Sequence, residues 1–146
     1  MFIKNIYFLI FAMFIFGCKK TEVGCTNPLA ANYKSDAIED DGTCIIKYEG
    51  TYLIKEFLFV NGVETESKTY SLKISFLSSE DSIQLDNMWD YGKTLVATKS
   101  KFTFTIPEQA YDQNTTVTGE GTFDFGKLTY ETAYGDLRHI GEGTRI

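Results

Sequence analysis

One histidine, three cysteines and a run of acids are the side chains of this 146-residue chain best suited to a reacting or metal-binding centre. His139 follows Arg138 in a stretch of strand character near the C-terminus. A Ser–His–Asp arrangement assembles in space rather than in sequence, so a hydrolase using His139 stays open beside the ordinary reading of a strand histidine. No nucleophile-elbow pattern accompanies it. Asp36, Glu39, Asp40 and Asp41, with Asn32 close by, could gather several oxygens around one calcium ion. Their spacing is not that of an EF-hand loop, and Asx turns account for the same residues without metal. Glu80-Asp81 falls in a turn, whereas a general acid needs burial to raise its pKa. No phosphate-cradling glycine loop is present. The chain therefore reads as a non-enzyme without a cofactor, calcium being the one metal with candidate ligands.

The first cysteine has a clear context. The chain opens MFIKNIYFLIFAMFIFGC, with Lys4 ahead of an unbroken apolar run from Ile6 to Phe16. That is the layout of a secretory signal peptide. About 11 residues rise only ~17 Å as a helix, roughly half of a ~30 Å hydrocarbon core, which is short for a permanent span. Ile15-Phe16-Gly17-Cys18 resembles the lipobox of bacterial lipoproteins, departing from it at Phe16, where a small residue is preferred. The resemblance implies a diacylglycerol on the Cys18 sulfur, cleavage before Cys18, and often a third acyl chain on the new amino terminus. Each buried methylene contributes about 0.8 kcal/mol, and two or more chains anchor durably. The other reading is a plain signal peptide with a coincidental cysteine. The expected segments are a signal peptide over 1–17 and a lipidated tether over 18–24, whose Lys19 and Lys20 could touch anionic headgroups.

Without residues 1–17 the chain carries 13 basic groups against 20 acidic ones, a formal charge of −7, Lys4 being the one charge removed. Nucleic acid is not an expected partner at that balance. With Cys18 taken by lipid, Cys25 and Cys44 are an even pair in an oxidising compartment, expected to bond to each other rather than stay free or join another chain. One histidine and an oxidised pair leave too few ligands for zinc. Within 25–46, Asn27-Pro28 predicts an N-cap and a helical turn over 29–33. Asp40-Asp41-Gly42 predicts a tight turn with Gly42 at positive φ. Gly24 to Cys44 resembles a short repeat of secreted and cell-surface proteins of Bacteroidetes, GCT-(D/N)-x-x-A-x-NY-x-x-x-A-x-x-DDG-(S/T)-C. It matches at Gly24, Cys25, Thr26, Asn27, Ala30, Asn32, Tyr33, Ala37, Asp40, Asp41, Gly42, Thr43 and Cys44. The resemblance implies a disulfide-closed surface module and specifies no activity.

From Tyr48 onward period-two alternation takes over. Tyr70, Leu72, Ile74 and Phe76 alternate with Ser71, Lys73 and Ser75, placing four apolar groups on one strand face. Phe102, Phe104 and Ile106 repeat the pattern, as do Val117, Gly119, Gly121, Phe123 and Phe125; the two glycines mark a bend or a close approach. Asn61-Gly62 predicts a type I′ hairpin. The expected fold is all-β, an antiparallel meander of about eight strands forming a barrel or sandwich over 47–146. The strands read as 51–60, 63–69, 70–78, 82–89, 93–99, 101–107, 115–125 and 127–134, with 136–146 completing or replacing one, and Pro107 to Asn114 as a break.

This order also resembles small Bacteroidetes lipoprotein domains of calycin-like or lipocalin-like type. The carrying residues are Gly50-Thr51-Tyr52, Leu85-Asp86-Asn87-Met88-Trp89 with Tyr91-Gly92, Phe104-Thr105-Ile106-Pro107-Glu108-Gln109, and Gly119-Glu120-Gly121-Thr122 before Lys127-Leu128-Thr129-Tyr130. Arg138 to Gly143 departs from a simple closing strand. The resemblance implies a meandering barrel and carries over no catalytic residue. Trp89 and Tyr91 could line a ligand cavity at its mouth or fill its core. Asp81-Ser82-Ile83 resembles the O-glycosylation motif of exported Bacteroidetes proteins, with Ser82 as acceptor; the sequon at Asn114 means little in a bacterium. The expected function is a monomeric accessory or binding lipoprotein of the cell envelope, anchored at the outer membrane and facing the periplasm or the exterior. Its expected partners are the membrane and either a small hydrophobic ligand or, alternatively, a protein held or inhibited through a loop such as Pro107 to Asn114.

Overall fold

Alternating apolar residues cover one face of a strand, and a sheet with one apolar face must bury it. The computed structural model, which describes residues 21–78 and 81–146, meets that demand by rolling the sheet up. The strands are β1 (Val23–Gly24), β2 (Glu39–Asp40), β3 (Gly50–Val60), β4 (Val63–Phe76), β5 (Ser82–Met88), β6 (Lys93–Lys99), β7 (Thr103–Ala110), β8 (Thr116–Asp124), β9 (Lys127–Tyr134) and β10 (Leu137–Arg145). The last eight form a closed antiparallel barrel in the order β10-β3-β4-β5-β6-β7-β8-β9, so the sandwich alternative falls away. Inward positions include Ile54, Leu72, Ile74, Ile83, Leu85, Leu95, Phe104, Ile106 and Leu128, all at most 2% exposed. Closure also hides the two outer strand edges, since β10 pairs with β3 from Leu137↔Val60 to Arg145↔Tyr52.

Several boundaries differ from the sequence reading for identifiable reasons. The strands expected at 63–69 and 70–78 are one strand, β4, because Ser67-Lys68-Thr69 holds no glycine, proline, Asn or Asp and pairs without a break with β3, and 137–145 supplies the eighth member instead. Pro107 does not end its strand. The β7–β8 register shifts between Ile106 and Gln109, a bulge that absorbs the missing N–H. On the other edge the Gln109 side-chain amide accepts from Val96 N at 3.0 Å and donates to Val96 O at 2.7 Å, standing in for main chain. Asn61 and Gly62 both have positive φ (51° and 80°), as the hairpin turn requires. In β8, close approach explains the glycines: a Cβ on Gly121 would collide with the Phe104 ring, and one on Gly119 would lie 2.6 Å from Thr132 Cγ2.

The N-terminal module closes one end of the barrel. Cys25 and Cys44 are disulfide-bonded, and Val23↔Glu39 and Gly24↔Asp40 pair in parallel beside them. The helical turn expected at 29–33 is replaced by turns at 28–29 and 31–32, with Ala30 N donating to Asn27 O at 3.0 Å and Leu29 N to Asn27 Oδ1 at 2.9 Å; between them Ala30 bridges Ile46, which draws the chain out of helical geometry. Ile46 joins the barrel core, and Arg145 reaches back to donate to Lys47 O at 2.7 Å and Leu29 O at 3.3 Å. Among the described residues no helix is long and apolar enough to cross a membrane. Cys18, the signal segment and Glu80 lie outside the described residues.

Candidate functional site at the barrel mouth

The end of the barrel away from the module carries most of its buried polarity. On β3 the inward series Tyr52, Ile54 continues to Glu56, which is 1% exposed. Facing strands bring it Tyr70 from β4, Tyr130 from β9 and His139 from β10. Tyr70 Oη donates to Glu56 Oε2 at 2.9 Å, Tyr130 Oη donates to the same oxygen, and His139 Nδ1 lies 3.1 Å from Oε1. A carboxylate oxygen accepts, so this geometry uses the tautomer with hydrogen on Nδ1. The two phenol oxygens are themselves 2.6 Å apart. Burial first, then the Glu56 charge, holds the Tyr70 phenol far above its ordinary pKa. Tyr130 is raised in the same direction, by burial first and then by the neighbouring Tyr70 and Glu56. Both phenols are thus fixed as protonated donors. Tyr130 has room because it faces Gly141 across the β9–β10 ladder, where a Cβ would stand 2.6 Å from its Oη and closer still to its ring.

A turn at the tip of the β5–β6 hairpin closes the mouth over this cluster. Asn87, Trp89 and Asp90 have φ of 69°, 57° and 60°, and Gly92 of 65°. Left-handed backbone at non-glycine residues costs about 1–3 kcal/mol each, least for Asn and Asp, and persists where surrounding contacts enforce it. The contacts here converge on Trp89, which is 1% exposed. Its N–H donates to Tyr70 Oη at 3.0 Å, its carbonyl accepts from Lys68 Nζ, and its indole Nε1–H donates to Thr132 Oγ1 at 3.1 Å. The indole stacks on His139, ring centres 4.4 Å apart at 17°, with Tyr111 at 5.0 Å and Tyr134 at 6.0 Å on the rim. Tyr134 Oη donates to Asp112 Oδ2 at 2.7 Å, and that bond, with the Asn114 N–H, holds the Asp112 carboxyl below the usual carboxylate range. The cavity beside Glu56 and His139, bordered by Lys68 and Tyr91, measures about 10 Å³. The Trp89 indole fills the mouth beside it.

His139 therefore sits in a strand, as its ordinary reading had it, but in a buried pair with Glu56: a base and an acidic orienter, with an indole laid across the imidazole. Trp89 belongs to the core, whereas Tyr91 is 57% exposed, with Lys68 Nζ 4.0 Å from its ring centre. Ser82 opens β5 and is partly buried. The acids of the calcium reading are exposed at the far end, in the module. Asp40 Oδ1 accepts from Gly42 N at 2.8 Å and Asp41 Oδ1 from Thr43 N at 2.9 Å, both Asx turns, and Thr26 Oγ1 donates to Asp40 Oδ2 at 3.1 Å. Among the described residues no three His, Cys, Asp or Glu side chains are grouped to hold a metal ion.

Sequence reading passed over Glu56, Tyr70, Tyr130 and Thr132 as members of a site. The signal existed: alternation through Tyr52 and Ile54 points Glu56 inward, and a glutamate at an inward position needs partners. No family model matches the chain, and comparison with curated proteins and with solved structures returns no match.

Proposed function

We propose that this chain is a lipid-anchored, non-enzymatic binding protein of the bacterial cell envelope, held at the outer membrane through Cys18, whose barrel takes a small ligand at its mouth. The tether joins the chain at the module, which caps the opposite end, so the mouth lies at the end of the barrel remote from the anchor. The observation that carries the binding reading is the hydrogen-bonded Glu56–Tyr70–Tyr130–His139 cluster beneath a strained turn. Burying a carboxylate costs several kcal/mol, and charge-assisted hydrogen bonds return about 1.5–3 kcal/mol each. The two are of the same order, so apolar side chains filling this volume would serve stability as well. A polar floor under an aromatic cover serves a ligand.

The test is mass spectrometry of the full chain purified from cells. Denaturing spectra should show cleavage before Cys18 with fatty acyl mass on that residue, and native spectra a small molecule released on unfolding. Retention of residues 1–17 without acyl mass overturns the anchor, and a persistently empty protein overturns the ligand. A second reading, recognition of a protein, draws on a different feature. A groove of about 740 Å³ runs between module and barrel, lined by Ile45, Tyr48, Phe76 and Leu77 among others, and Ile45 is 56% exposed. Under that reading a stoichiometric partner from envelope extracts is lost on Ile45→Glu or Leu77→Glu, and retention of that partner by both variants removes it.

A further inference from the structure

The side chain that closes the mouth is held as a ligand would be. The Trp89 indole lies flat on His139, is edged by Tyr111 and Tyr134, and makes one directional bond, from Nε1–H to Thr132 Oγ1. Its backbone is gripped separately, through Tyr70 and Lys68. A slot with one aromatic floor, two aromatic edges and one hydroxyl acceptor suits a flat ring carrying an N–H. We propose that the barrel mouth is a closed binding slot for a planar, N–H-bearing aromatic heterocycle, in which Trp89 is the resident occupant and the tip of the β5–β6 hairpin is the lid. This rests on the ligand-binding reading above and names its ligand class.

The lacing of the barrel allows that lid to move. The β5–β6 hairpin joins β4 through four residue pairs, Lys73↔Asp86 to Phe76↔Ile83, and β7 through two, Thr98↔Thr105 and Lys99↔Phe104. The β10–β3 ladder, by contrast, runs for nine. All four β4–β5 pairs lie on the module side of the hairpin, so its tip is joined to the wall chiefly by side chains: Lys68 and Tyr70 on Trp89, and Asn87 Nδ2 donating to Ser71 O at 2.9 Å. The turn is also left-handed at three non-glycine residues, a conformation that persists where surrounding contacts enforce it. The groups uncovered on opening are the imidazole face, the Thr132 hydroxyl and the Tyr70 hydroxyl, which now hold Trp89, with Glu56 and Tyr130 hydrogen-bonded behind Tyr70.

Trp89 is the only tryptophan, so its emission reports its own displacement. The full chain in detergent is titrated with benzimidazole, exciting at the red edge of indole absorption. Benzimidazole should shift Trp89 emission to the red in a saturable way. Lys68→Ala, which frees the Trp89 carbonyl, should tighten the apparent affinity severalfold by raising the open fraction. In Trp89→Gly, indole should raise the thermal midpoint and bind about fivefold more tightly than indene, its counterpart without N–H, as one net hydrogen bond allows; Thr132→Val should erase that preference. If Trp89→Gly does not fold, the wild-type and Lys68→Ala titrations decide alone. No red shift in either protein overturns the heterocycle slot, even if native spectra still show some other small molecule, in which case the binding reading stands. Exchange of the 87–92 amides only through global unfolding overturns the lid, and native spectra that stay empty as well overturn the binding reading with it.

Discussion

Gly141→Ala tests whether Tyr130 is locked into the mouth cluster as tightly as the geometry shows. In an ordinary strand the change should help, since glycine loses more chain entropy on folding than alanine, by roughly 0.5–1 kcal/mol. Here the added Cβ would stand 2.6 Å from Tyr130 Oη and nearer to its ring, against an ordinary contact of 3.4–4 Å. The ring must retreat by roughly 1 Å, which takes its oxygen out of hydrogen-bond range of Tyr70 and Glu56. Overpacking costs about 1–3 kcal/mol and a lost charge-assisted bond about 1.5–3, so the variant should lose roughly 3–5 kcal/mol of a total near 5–15. Urea unfolding followed by Trp89 emission should show the midpoint falling by roughly 2 M. Tyr130→Leu should leave room for the methyl, so the double variant costs less than the sum of the two by at least about 1 kcal/mol. A neutral or stabilising Gly141→Ala, or strict additivity, would refute the locked arrangement.

Two further outcomes follow from the rim and the module. Tyr134→Phe removes the largest influence depressing the Asp112 carboxyl, so its titration by carbon NMR should move up toward the ordinary value; because the folded pKa is depressed, the stabilisation from this bond is present above the unfolded pKa and fades as pH falls through the folded one, and that acid-limb dependence should weaken in the variant. An unmoved titration would remove the role given to Tyr134. Replacing Cys25 and Cys44 by serine should cost roughly 3 kcal/mol from restored loop entropy, seen as faster proteolysis within 25–44; equal cleavage of variant and wild type would show that Ile46 and Arg145 alone hold the module.

The parts of the fold visible in the sequence were those written in local patterns. Tyr70 to Phe76 announced an amphipathic strand, Asn61-Gly62 its hairpin, and Cys25 with Cys44 a closed loop. What escaped depended on partners distant in the chain. Nothing near Ser67 says that β4 runs straight through, because its length is set by β3 beside it. Pro107 looked like a stop because the compensating bonds come from Gln109 reaching across to Val96. The site was harder still. Tyr70 and Tyr130 looked like core aromatics and Glu56 like one acid among 20; only the closed cylinder makes neighbours of residues 56, 70, 130 and 139. Trp89 was visible as an aromatic near a mouth, but not as its plug, since backbone of left-handed form at a tryptophan has no sequence signature.

The pairing of β3 with β10 also bears on how the protein can be made. β3 is the first barrel strand to be synthesised, yet one of its edges is satisfied only by Leu137 to Arg145, far later in the chain. Arg145, next to last, also fastens the module through Lys47 and Leu29. A chain delivered amino end first must therefore keep one open edge of β3 shielded until β10 has emerged, and loss of Leu137–Arg145 would leave a curled sheet with two sticky margins.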